Sequence, residues 1–103
     1  MIYDGGPRCA WWIIETVESF NGQRNIGQGN STQWFSSSGF GGTSYEKTPI
    51  GAVSHTDEPG GQGVEDASSY FGLWASGKSF AIAAWNSRNT PFFQAVGDPF
   101  VRR

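Results

Sequence analysis

Residues 48–61 read TPIGAVSHTDEPGG, and they contain the only histidine of the chain, His55. PIGAVSH (49–55) has the composition of a short strand between turn residues. Gly51 and Ala52 are small enough to let another layer pack closely against it. Asp57-Glu58-Pro59 then reads as a polar turn. In a strand, His55 and Asp57 share a face and Glu58 points away. A metal site built on a helix would bring two histidines together at i, i+4, and no second histidine exists. No metal is expected, and His55 reads as a solvated residue at the end of a strand.

Working outward, AWWIIETV (10–17) is aromatic and β-branched and reads as a strand buried on both faces. A polar, glycine-rich stretch, NGQRNIGQGN (21–30), follows. A short helix begins near Thr32, with Trp34 and Phe35 on its apolar side. Downstream of the histidine, Asp66 is a suitable N-cap for SSYFGLWASGK, where Tyr70, Leu73 and Trp74 share one face. Gly77 breaks that pattern. Ser79 can cap SFAIAAWNSR, with Phe80, Ala83 and Ala84 on one side. TPFFQAV is a third strand, and GDP is a turn.

The order is strand, helix, strand, two helices, strand. It predicts an α/β fold, a small and mostly parallel sheet of three to four strands with short helices. Residues 1–103 form a single domain. Core positions are expected for most of the aromatic side chains, Trp11, Trp12, Trp34, Trp74, Trp85, Phe71, Phe80, Phe92 and Phe93 among them.

Seven Lys and Arg residues against nine Asp and Glu residues give a formal net charge of -2. The only basic pair is Arg102-Arg103, so nucleic acid is not an expected partner. The longest apolar run, Ala10 to Ile14, is too short to span a bilayer. MIYDGGPRCAWWII lacks the basic stretch and clean apolar run of a signal peptide. One cysteine, Cys9, excludes an internal disulfide and fits a cytoplasmic setting.

Two chemical constellations are conceivable. Cys9 and His55 could form a thiolate–imidazole dyad of a cysteine hydrolase, although Cys9 beside an apolar strand also reads as a small structural thiol. The glycine-rich stretch sits between strand and helix, where Arg24, Asn25 and Gln28 could line a ligand site. It is no phosphate loop, because Gln28 and Gly29 stand where Lys and Ser or Thr are required. No cofactor is expected.

Three segments in fixed order carry a resemblance. They are Gly51, Ala52, Glu58 and Pro59; then Gly77, Phe80, Ala81 and Ala84; then Gly97, Asp98 and Pro99. Over about residues 11–101 the chain resembles the C-terminal half of a caspase-like cysteine peptidase domain of the gingipain type. The resemblance implies half of a caspase-like layer. Family catalysis uses a histidine and, later in the chain, a cysteine just after a strand. That later position here reads Glu18-Ser19-Phe20-Asn21-Gly22, with no cysteine, and Cys9 precedes His55. No catalytic residue carries over, so the chain leans away from being an enzyme. A half-sheet would expose an unpaired edge. The expected function is therefore a non-catalytic binding or assembly module, as a homo-oligomer or with a protein partner on that edge.

Overall fold

The computed structural model describes residues 12–16, 20–23, 31–60 and 63–103. Three strands, β1 (Ile13–Glu15), β2 (Gly51–His55) and β3 (Phe93–Gly97), form one open sheet in the order β1-β2-β3. A one-turn helix α1 (Ser31–Trp34) and a 3-10 turn (Gly39–Gly41) lie between β1 and β2. Helices α2 (Ala67–Ala75) and α3 (Phe80–Ser87) lie between β2 and β3.

The element order matches the sequence expectation, but the sheet is mixed rather than mostly parallel. β1 runs parallel to β2, with Ile13 opposite Gly51 and Glu15 opposite Val53. β3 runs antiparallel to β2, with His55 opposite Phe93 and Gly51 opposite Gly97. The reason is the number of helices in the crossover. A single helix returns the chain to the starting end of the sheet, whereas two helices joined by a tight turn deliver it to the far end. Gly77, at φ +91, makes that turn in a region that favours glycine. A fourth strand is absent among the described residues.

Each main helix starts where its cap predicts. The Asp66 carboxylate accepts from the Ser68 N–H at 3.0 Å and from the Ser69 hydroxyl at 2.8 Å. The Ser79 hydroxyl accepts from the Ile82 N–H at 3.3 Å. The Phe80 and Ala81 N–H groups donate to the carbonyls of Val101 and Pro99. The segment after β3 thus satisfies first-turn donors of α3 that a helix cannot satisfy itself.

The core is the layer between sheet and helices. Ile13 and Val53 meet Tyr70, Trp74, Phe80, Ala83 and Ala84. These are the helical faces read from the sequence. Strand alternation puts Gly51, Val53 and His55 on this face. Ala52 and Ser54, on the other face, are buried as well. β2 is therefore the strand covered on both sides, a role the sequence suggested for residues 10–17. Phe80 lies over Gly51, where a Cβ would fall 2.4 Å from the ring, and over Gly97, where it would fall 3.0 Å away.

The aromatic side chains are not uniformly core. Trp12 packs edge-on against Phe40, and Trp34 is buried. Trp85, Phe71 and Phe92 are exposed, at 62%, 42% and 40%. Trp85 departs from the expectation because Ala83 and Ala84 take the buried face of α3, and Trp85 is left lining the open groove beside β3. Trp11 lies outside the described residues.

Gly51→Ala should cost about 1–3 kcal/mol, because a methyl group there displaces a buried ring. Urea unfolding of the variant measures this, and a loss below about 0.5 kcal/mol would show that Phe80 does not depend on the glycine.

Candidate functional site

The polar groups of the interior gather at the carboxyl ends of β1 and β2. Strand alternation carries His55 onto the helix side, where it is fully buried. Its Nε2 lies 3.0 Å from a Glu65 carboxylate oxygen, with both side chains at 0% exposure. Glu65 sits directly before the Asp66 cap, so the start of α2 aims it at the strand end. The Phe93 ring approaches the imidazole edge-on, at 6.4 Å between centroids. The expectation of a solvated strand end is thus overturned. β2 is the central strand, and both its faces are covered up to its last residue.

The turn at residues 20–23 closes the same end. The buried Asn21 accepts from the His55 N–H at 3.2 Å and donates to the Thr16 hydroxyl. The Gly22 N–H donates to the His55 carbonyl at 2.7 Å. The Gln23 amide donates to the Thr56 carbonyl at 2.7 Å. Gly22 lets the turn approach β2 closely, since a Cβ there would come 2.6 Å from the Gln94 amide oxygen and 3.0 Å from the His55 carbonyl.

β1 brings a third titratable group. Glu15 is two residues from Ile13, hence on the same helix-facing side. One of its carboxylate oxygens is buried without a hydrogen-bond partner. Burial, with the Glu65 and Asp66 charges adding to it, pushes the Glu15 carboxyl up to about 7. Burial also raises Glu65 above the ordinary carboxylate range, against the pull of its own backbone N–H. Tyr70, whose hydroxyl donates to the Ile14 carbonyl at 3.0 Å, is raised by burial and by Glu15 and Glu65. Asp66 is lowered by its bonds to Ser69.

Asp57 and Glu58, the neighbours that first suggested a site around His55, are exposed. Asp57 instead accepts from the Glu58 N–H at 2.7 Å and shapes the turn. Cys9, Arg24, Asn25 and Gln28 lie outside the described residues. Among the described residues, no group of three His, Cys, Asp or Glu side chains is placed to hold a metal ion. Sequence reading missed Glu15, Asn21, Glu65 and Tyr70. Glu15 carried a signal, as a carboxylate in an otherwise apolar strand with the spacing of a core position. Glu65 carried none, because only the tertiary path of residues 63–66 brings it to His55.

A second feature is apolar. A groove of about 510 Å³ runs between α3 and β3, lined by Ile82, Ala84, Trp85, Phe93, Ala95 and Pro99 among others. The Arg88 guanidinium lies 3.5 Å over the Trp85 ring. Among the described residues no helix is long and apolar enough to cross a membrane. No protein family, curated protein or solved structure matches the chain.

Breaking the buried pair should be costly, whereas replacing both partners should not. Glu65→Ala is expected to lose about 3–5 kcal/mol, because it strands the imidazole. The double variant His55→Leu with Glu65→Leu should recover at least about half of that loss. Equal losses in the two, by urea unfolding, would mean that the pair is not acting as an ion pair.

Proposed function

We propose that the chain is a non-catalytic binding or assembly module, of the kind a truncated caspase-like domain would make, and that it works by self-association along β3. The observation that carries this reading is the coincidence of an open sheet edge with the apolar groove beside it. No described strand pairs with the far side of β3. Thr56 N–H donates to the Phe92 carbonyl. Alternation from that bond turns the main-chain groups of Ala95 and Gly97 away from β2. Trp85 and Ile82, at 62% and 46% exposure, flank this edge. Soluble proteins rarely leave such an edge and such a patch uncovered.

A second copy can satisfy both at once by strand addition. The burial of His55 against Glu65 supports the non-catalytic half of the reading, since a surface base would have to reach substrate. A hydrolase using Cys9 and His55 is the competing reading, and it requires His55 to leave Glu65. A ligand site at Arg24, Asn25 and Gln28 is a further alternative. The single cysteine suits a cytoplasmic setting.

Light scattering at micromolar concentration should give twice the 11.2 kDa chain mass. Ala95→Pro removes one outward N–H, a change tolerated on an edge strand. It should return the protein to a monomer with its fold intact by circular dichroism. A monomeric parent protein would overturn self-association. Rapid alkylation of Cys9 by iodoacetamide at neutral pH would favour the hydrolase.

A further inference from the structure

The groove between α3 and β3 has a floor that deepens along the strand and a cation at its shallow end. We infer that it binds a single-chain carboxylate, a medium-length fatty acid, with the alkyl chain along the groove and the carboxylate at Arg88.

Periodicity sets the shape. Ile82 and Trp85, three apart on α3, form one wall. Phe93, Ala95 and Gly97 alternate onto the helix-facing side of β3 and form the floor. Their side chains shrink in that order from a ring to a methyl group to none, so the floor falls away toward Gly97 and Pro99. Along this wall α3 advances roughly 10 Å from Ala81 to Arg88. The volume of about 510 Å³ is that of a small-ligand pocket, and none of the residues lining it is charged.

The head group is set by the neighbouring hollow. A cavity of about 610 Å³ adjoins the groove at Trp85 and Phe93, which line both. Arg88 is the only charged residue lining either one. Its guanidinium lies 3.5 Å from the centroid of the Trp85 ring, and one N–H donates to the Trp85 carbonyl. That bond offsets the partial negative charge of the α3 C-terminus, which alone would repel an anion. A guanidinium has further N–H donors for a carboxylate. No carboxylate among the described residues pairs with Arg88. The contact with Trp85 holds the guanidinium in place, so less freedom is lost when an acid arrives. An uncharged apolar channel ending at one cation is complementary to an alkyl chain ending in one acid. A neutral chain would leave Arg88 unused, and a cationic one would be opposed by it.

This goes beyond self-association. Trp85 and Ile82 flank the β3 edge, so a bound chain takes surface that a second copy would cover, and the two compete.

The test is calorimetric titration of the intact chain with decanoate, decanol and decyltrimethylammonium, below their micelle concentrations and at a pH where the acid is ionised. Decanoate should bind saturably, at least about tenfold more tightly than the other two. Arg88→Ala should raise the decanoate Kd about tenfold and leave that of decanol within about twofold. Ile82→Asp, at an exposed helix position, should weaken both by at least about tenfold with circular dichroism unchanged. Absence of saturable binding, equal affinity for the three head groups, or an Arg88→Ala variant that binds decanoate like the parent overturns the site. A dimer in light scattering that takes up no decanoate assigns the groove to the second copy instead. A monomer that binds decanoate supports the ligand site while removing self-association.

Discussion

The ring of Phe80 lies across two strands at once, over Gly51 of β2 and Gly97 of β3. That placement needs two residues without side chains directly opposite each other, and the β2–β3 register supplies them. It also needs α3 to begin where Ser79 caps it and where the carbonyls of Pro99 and Val101 meet its first N–H groups. Sheet register, helix start and the segment after β3 are therefore one constraint. A ring buried over bare backbone contributes apolar area where a glycine pair offers none of its own.

From that constraint the mixed sheet follows. Tyr70 and Trp74 of α2, and Ala83 and Ala84 of α3, cover one face in line with Ile13 and Val53. β3 can then only descend along β2. Helical faces and caps were legible because they depend on spacing and on single residues, Asp66 and Ser79. Strand direction was not legible from alternation of elements alone. It follows from the count of helices in the crossover, two divided by the tight left-handed turn at Gly77, a count the sequence already offered.

The polar cluster was less legible than the core. His55 drew notice as the only imidazole, but its sequence neighbours Asp57 and Glu58 are turn residues. Its partner stands ten positions on, at Glu65. Glu15 could be suspected from the pattern of β1, since a carboxylate at a core spacing must be neutral, paired or partly wet. Asn21 could not. Its role depends on the turn folding back under the end of β2, a placement no local propensity encodes. The exposure of Trp85 is likewise a tertiary fact, because α3 has Ala83 and Ala84 available for its inward face.

The three strands join the sheet by unequal routes. β2 and β3 are far apart in sequence, but α2 and α3 pack on each other in between and shorten the path that the chain must close. Between β1 and β2 the described helical structure amounts to one turn at Ser31–Trp34 and the 3-10 turn at Gly39–Gly41. Among the described residues, little local structure there offsets the entropy of closure. β1 also brings in Glu15, whose burial opposes its charge. Among the described residues, β2 and β3 are thus bridged by packed helices and β1 and β2 by little more than two turns, and the ionisable cluster lies where the two parts meet.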